Sequence, residues 1–436
     1  RAGTRARARR WIGKPAFDSS GICHVAIACP DCGTLLTFPA LPRRSTALCL
    51  RCRTHIESTI GRSIDAALAC AIITLALLPA VYVLPLLQAE LLGQHSQSSL
   101  IGGVVQLWQH DWVALAGLSV IFVIALPIVR LGLLTLVLGA LRFRLRPAWL
   151  GQAFRWAVWL DRWAMLDVFL LAVAVGYYYL TTIEHLNVTI ESGGDFLLAA
   201  GMLTTLCRAT LDERAVWRAI GGEAAAAPHQ RTLGCATCGL IQPAAREGAP
   251  CARCGARLRL RKLDAVSITA ALVCAAVILL FPANIYPMNT SDLLGVNLTY
   301  TNFGYVLQLW NKGLWPLSVI TFWTSILNPA LMLAVLAWCV ASVWRRSPRR
   351  LVLKTRLLRT VSEAGRWSET GPLSIVFFVP LIDFGHLGAE AAGWGATAFV
   401  LMSLLTIAAS ATFDSRLMWD ADSRTGIAGP ADGGDA

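Results

Sequence analysis

The chain alternates between apolar runs of helix-spanning length and shorter polar segments, and the apolar runs come in two sets. The first set begins near Ser63 (SIDAALACAIITLALLPAVYVLPLL), Trp112 (WVALAGLSVIFVIALPIVRLGLLTLVLGAL), Trp163 (WAMLDVFLLAVAVGYYYLTTI) and, in a shorter form, Gly194 (GDFLLAAGMLTTLCRATL). The second begins near Ala265, Leu314, Pro372 and Gly393. A helix needs about 20 apolar residues to cross the hydrocarbon layer, so the pattern predicts eight spans. An even number puts both chain ends on one side. The pairs Pro79/Pro85 and Pro282/Pro287 are expected to break the outer ends of the first and fifth spans.

The two sets are copies of one unit. PAVYVLP (from Pro79) returns as PANIYP (from Pro282), VVQLWQHDW (from Val104) as YVLQLWNKGLW (from Tyr305), and Pro127 as Pro329. DRWAMLDVF (from Asp161) has a weaker partner in GRWSETGPL (from Gly365), and LDERAVW (from Leu211) one in FDSRLMW (from Phe413). A constant offset of this kind marks tandem units. With an even number of spans each, the units share one orientation and form a parallel repeat.

Composition agrees with a membrane chain: 56% of the 436 residues are hydrophobic and 15% charged. The formal charge of +12 does not point to nucleic acid, because Arg and Lys cluster in particular loops. They fill the N-terminal region, the loop 142–162, the linker 208–262 and the loop 345–366, while the intervening loops hold only Lys312. By the positive-inside rule, both termini and the linker are expected in the cytoplasm. Two of the basic loops, FRLRPAWLGQAFRWAVWLDRW and LVLKTRLLRTV, read as amphipathic helices in the anionic headgroup layer. Trp156, Trp159 and Trp163 share one side of the first. Trp108 and Trp310 are expected to anchor the outer interface. The basic first ten residues are not followed by an apolar core, so no signal peptide is expected, and the first residue is not Met, as for a chain that starts inside a longer one.

Eight of the 13 cysteines fall into four CxxC pairs in polar segments. Cys29, Cys32, Cys49 and Cys52 form one set, with 16 residues between pairs; Cys235, Cys238, Cys251 and Cys254 form the other, with 12. Two CxxC knuckles can close a tetrahedral four-thiolate shell, so two structural zinc sites are expected, with iron as the rival metal. Gly33, Gly239 and Gly255 follow the second cysteine of their pairs, where a positive φ lets backbone amides face the sulfurs. Disulfides do not suit the cytoplasmic side, and a redox dithiol does not suit paired knuckles. Cys23, His24 and His55 lie nearby as bystanders.

The expected fold is an all-α polytopic membrane protein of two tandem four-helix transmembrane units, each preceded by a small cytoplasmic zinc-ribbon-like module. Its divisions are a basic tail (1–20), the first module (21–58), the first unit (59–220), a linker with the second module (221–262), the second unit (263–420) and a disordered tail (421–436).

Polar groups at membrane depth are costly and mark pathways or partners. Asp167 and Arg130 lie within spans of the first unit and could pair, although their depths do not obviously match; their counterparts are Gly371 and Met332. Asp383 and His386 share a helical face in the seventh span. Ser318, Thr321, Ser325 and Asn328 form a stripe in the sixth span, and Ser403, Thr406 and Ser410 another in the eighth. Such stripes either bind helices together or line a polar cavity or proton path.

The two CxxC–CxxC modules, two four-span units, proline-bracketed span ends and paired QLW segments together resemble the paraquat-inducible protein A family, in particular its lipophilic envelope-spanning tunnel protein A branch. The resemblance runs from Cys29 to Trp419. It implies an inner-membrane protein of Gram-negative bacteria that works beside a periplasmic mammalian-cell-entry (MCE) tunnel protein and moves phospholipid between the inner and outer membranes. No GxxxxGK[ST] loop is present, so ATP hydrolysis is not expected of this chain, nor is enzymatic activity. If transport is driven, a proton gradient acting on Asp167, Asp383 or His386 is the available source. The rival readings are a membrane redox protein with rubredoxin-like iron and a scaffold for the tunnel that carries no lipid.

Overall fold

A computed structural model describes residues 9–12, 14–15, 25–38, 45–58, 63–91, 94–182, 187–221, 232–262, 264–293, 296–365 and 388–423, with the single positions 367, 373 and 381. The chain opens with strands β1 (Arg9–Ile12), β2 (Lys14–Pro15), β3 (Val25–Ala28), β4 (Leu35–Phe38), β5 (Ser45–Leu48) and β6 (His55–Ser58). They make two three-stranded sheets, ordered β1-β5-β6 and β2-β4-β3. CxxC knuckles sit in the β3–β4 and β5–β6 turns.

Helix α1 (Ile64–Val83) follows, capped by the Ser63 hydroxyl, which accepts from the Ala66 amide. It runs through Pro79 and stops before Pro85, where Leu84 is extended. A residue preceding proline is pushed out of the helical region, so only the second proline of the pair ends the helix. Its counterpart α8 (Ala265–Ile285) behaves alike: Pro282 is internal, and Tyr286 is extended before Pro287.

The outer loops correct the expectation of a purely helical chain. After α1 come β7 (Leu87–Leu91) and β8 (Gln94–Ser98), and β9 (Asn187–Ile190) adds to the free edge of β7. The second half repeats this with β12 (Asn289–Leu293), β13 (Val296–Tyr300) and β14 (Gly388–Ala392). Each sheet pairs a hairpin with a strand about a hundred residues away in sequence, so no local pattern could specify it. Short helices α2 (Leu100–Gln109) and α9 (Asn302–Asn311) carry Trp108 and Trp310, both exposed.

The remaining helices of the first half are α3 (Val113–Arg142), α4 (Leu150–Leu160), α5 (Leu166–Thr182), α6 (Ser192–Thr210) and α7 (Glu213–Ile220). Those described in the second half are α10 (Trp315–Trp344), α11 (Leu351–Gly365), α12 (Trp394–Thr412) and α13 (Arg416–Ser423). Five of the described helices, α1, α3, α8, α10 and α12, are long and apolar enough to cross a membrane; α5 is apolar but shorter. The two 30-residue helices each contain a π-helical turn, at Val120–Ala125 and Trp323–Leu327, just before Pro127 and Pro329. Proline lacks the amide that would bond four residues back and crowds that carbonyl, and a π turn opens the space. In α3 the freed Val123 carbonyl accepts from the Tyr82 hydroxyl at 3.2 Å.

Helix α1 packs along α6, and α8 along α12. The two halves meet on the sheet side, where the Tyr179 hydroxyl donates to Gln308 Oε1 at 3.3 Å and Trp112 meets Trp394 edge-on at 5.7 Å. On the opposite side the Cys modules, including β10 (Thr232–Gly234) and β11 (Ile241–Pro243), close the molecule.

Candidate metal centres and a buried charge cluster

All eight CxxC sulfurs are gathered as the spacing predicts. Cys29 faces Cys52 and Cys32 faces Cys49, both at 3.5 Å between sulfurs; Cys235 faces Cys254 at 3.6 Å and Cys238 faces Cys251 at 3.7 Å. A tetrahedral ion about 2.3 Å from each thiolate needs sulfur–sulfur edges of about 3.8 Å. Each set therefore fits a metal ion, and all eight cysteines are at most 5% exposed.

Each knuckle is a tight turn in which the residue after the second cysteine donates its amide to the carbonyl of the first. That residue has positive φ in all four cases: Gly33 (76°), Arg53 (57°), Gly239 (73°) and Gly255 (66°). Arg53 occupies the position where the other three have glycine. Gln242 Nε2 donates to Cys251 Sγ at 3.1 Å, and Thr54 Oγ1 lies 2.9 Å from Cys52 Sγ, so both shells have polar support. Sulfur–sulfur hydrogen bonds, that of Cys29 foremost, bring the Cys32 thiol down to about 7. The Cys235 thiol falls to about 7 in the same way, with Cys238 foremost.

The modules dock crosswise. The first packs its cysteines, Leu36 and Ile56 against Val335, Cys339 and Leu351 of the second half and against Phe413, Met418 and Trp419 beyond α12. Arg359 of α11 pairs with Asp31 and donates to Thr54 Oγ1, and the Ser415 hydroxyl donates to the Asp31 carbonyl at 3.1 Å. The second module seats on the first half. A Cβ at Gly151 in α4 would overlap the Arg253 carbonyl, and Arg253 Nε donates to the Gly221 carbonyl at 2.6 Å. Arg218 of α7 pairs with Glu57 of the first module, linking the two arrangements. Burial raises the Glu57 carboxyl above its ordinary value, Arg218 opposes the rise, and Asp212 adds to it.

The repeated D-x-R stretch opens both short helices. Asp212 Oδ1 accepts from the Ala215 amide at 3.0 Å, capping α7. Asp414 holds Arg416 through Nε and an amino group at 2.9 and 3.0 Å and accepts from the Lys262 amide at 3.2 Å. Burial alone would raise the Asp414 carboxyl, but the hydrogen bonds and charge of Arg416 hold it below its ordinary value.

In place of the conceivable direct pair of Asp167 with Arg130 there is a wider network. Asp167 pairs with Arg208, Arg208 Nε donates to Asp161 Oδ1 at 2.8 Å, and Arg130 meets the same Asp161 oxygen at 2.5 Å. Arg208 amino protons also reach the Asp161 and Ala164 carbonyls at 3.1 and 3.0 Å. Asp161 and Arg208, which were not among the expected site residues, are thus central; the signal for Asp161 was the change from DRW to GRW between copies, and that for Arg208 its replacement by Ser410. Asp167 starts α5 and Arg208 ends α6, so each charge also complements its helix dipole.

The polar stripe of α10 is broken by its π turn. Ser318, Ser325 and Asn328 are buried with Thr324, and Thr321 is only half-buried. Ser318 donates to the Val306 carbonyl at 2.8 Å, and Asn328 Nδ2 to the Ala364 carbonyl at 2.9 Å. In α12, Thr406 bonds back to Met402 at 2.7 Å, Ser410 bonds to the Ile407 carbonyl at 2.8 Å, and the buried Ser403 hydroxyl has no hydrogen-bond partner among the described residues. Ser403 and Thr406 face Met332 and Gly365 across a small void. Asp383 and His386 lie outside the described residues.

Apolar helices of spanning length joined to two four-cysteine clusters define a multi-pass membrane protein with two candidate metal centres. The chain belongs to the paraquat-inducible protein A family, whose model matches residues 64–221 and again residues 266–422. It is 27% identical over 405 residues to the intermembrane transport protein PqiA of Escherichia coli K12, covering 90% of this chain and 95% of that one. It is 28% identical over 400 residues to the lipophilic envelope-spanning tunnel protein A of the same strain, covering 90% and 91%. A probable intermembrane transport protein of Haemophilus influenzae is 24% identical over 401 residues, covering 90% and 95%. No solved structure matches the chain.

Proposed function

We propose that this chain is the inner-membrane subunit of a lipid transport system, exchanging phospholipid between its own bilayer and a periplasmic MCE-domain tunnel partner. The observation that carries the reading is family membership over both halves, with relatives named as intermembrane transport and envelope-spanning tunnel proteins. The chain crosses the membrane eight times in two parallel four-span units. The termini and both four-cysteine modules face the cytoplasm, as the placing of Arg and Lys supports. The modules hold zinc as a structural ion, which the closed, buried four-sulfur shells favour. A bound ion would supply folding energy and no chemistry of transport; the chain's thiolates, Gln242 and Thr54 hold and orient it. Asp167, Ser318, Thr321, Ser325, Asn328, Asp383, His386, Ser403 and Thr406 supply the polar route, and protons drive the movement.

Purification of the full chain from its native envelope in mild detergent tests the reading. Co-purifying phospholipid and an MCE-domain partner are expected. Recovery of the intact chain with neither would sink it.

A further inference from the structure

The Arg130–Asp161–Arg208 network borders a cavity of about 420 Å³ on the Cys-module side of the molecule. That volume lies within the usual ligand-pocket range of about 300–1,000 Å³. The same place in the second copy is almost shut. There Met332 stands for Arg130 and Gly365 for Asp161, a Cβ at Gly365 would collide with Met332 Sδ, and the void they border is about 10 Å³. Ser410 stands for Arg208 and Gly371 for Asp167. Among the described residues the one architecture thus exists with Arg130, Asp161 and Arg208 and without their charges, so the fold itself does not require them. Burying ion pairs is seldom a route to stability, and intramembrane charges mark function.

The lining shows what the charges suit. Arg130 and Arg208 are joined by three carboxylates, Asp161, Glu213 of α7 and Glu363 of α11. Arg208 is engaged by Asp161, Asp167 and two carbonyls, whereas Arg130 is held through one amino group at Asp161. Guanidinium is the preferred protein partner of phosphate, and exposed Glu363 can receive a cation. A guanidinium and a carboxylate on one cavity suit a ligand that carries both signs. Leu134, Val158 and Leu211 supply an apolar wall, which suits a molecule carrying acyl chains over a soluble phosphate.

We propose that this cavity is a headgroup site for a zwitterionic aminophospholipid, chemically a phosphate joined to a primary ammonium. Arg130 meets the phosphate, Glu363 meets the ammonium, and the apolar wall receives the glycerol end. The proposal rests on the lipid-transport reading and adds a location and a headgroup preference to it.

Native mass spectrometry of the full chain from nanodiscs of equal phosphatidylethanolamine and phosphatidylglycerol tests it. Wild type retains phosphatidylethanolamine in preference, and soluble glycerophosphoethanolamine does not displace it. The double substitution Arg130→Met, Asp161→Gly copies the pair of the second half and strands no lone charge there; it lowers that retention at least about tenfold, the loss of one charge-assisted contact. Glu363→Gln alters only an exposed group and removes the preference over phosphatidylglycerol. Equal retention of both lipids by wild type, or retention blind to both variants, overturns the site while leaving lipid transport standing. Displacement by the soluble headgroup overturns the lipid as its occupant. A wild-type chain that retains no phospholipid overturns both the site and the transport reading.

Discussion

Arg51 and Trp419, 368 residues apart, are in contact: the guanidinium lies 5.0 Å from the indole ring centre and an amino group donates to the Trp419 carbonyl at 3.3 Å. Arg51 belongs to the second knuckle of the first four-cysteine cluster, and Trp419 to α13 at the far end of the chain. The first four-cysteine cluster is therefore docked against the second half. Replacing Cys29 and Cys49 by Ser should release amide protection in α11 and α13 before it does so in α1. Hydrogen–deuterium exchange measures this, and loss confined to residues 25–58 would contradict the crossed docking.

Metal content is the simplest check on the thiolate shells. Two equivalents of zinc per chain are expected by elemental analysis, from a colourless protein. Visible charge-transfer bands would identify iron instead. Because structural thiolate sites couple binding to folding by about 10–16 kcal/mol, prolonged chelation should unfold the modules and expose all eight cysteines to thiol reagents.

Gly151 permits the close approach of α4 to the second module at Arg253. Gly151→Ala places a methyl group against a backbone carbonyl that cannot turn away. The expected cost is about 1–3 kcal/mol, as for overpacking. It should appear as faster proteolysis within 232–262 while the helices stay protected.

Arg208→Met should be among the most destabilising single changes in the first half, because it removes the guanidinium that bridges Asp161 and Asp167. Breaking a buried pair by removing one partner costs about 3–5 kcal/mol. Thermal unfolding in detergent measures the loss. An unchanged midpoint would show that the network contributes nothing to the fold.

Asp414 gives stability a pH dependence of known sign. Its carboxyl is held below the ordinary value, so the folded state favours the ionised form. That contribution is fully present above the ordinary aspartate range and declines as pH falls through it toward the lower folded value. Asp414→Asn should lower the melting temperature at pH 6, and the gap between mutant and wild type should narrow as pH falls below the ordinary aspartate range.

The sequence by itself determined the features governed by local chemistry and periodicity. Of the eight expected spans, the apolar runs located the five described helices of spanning length and most of their bounds, the offset of the copies matches the family's two matched stretches, and CxxC spacing chose all eight clustered thiols. Each needs only nearby residues or a repeated period. Pairings over long separations were decided by the tertiary structure. Strand β9 finding β7, Arg208 displacing Arg130 as the partner of Asp167, and the π turn dividing the Ser318–Asn328 stripe all depend on which elements become neighbours. The crossing of the modules is the clearest case. Chain order places Cys29–Cys52 beside α1, yet apolar surface is buried by whichever face fits, and Trp419, Met418 and Val335 offered that face.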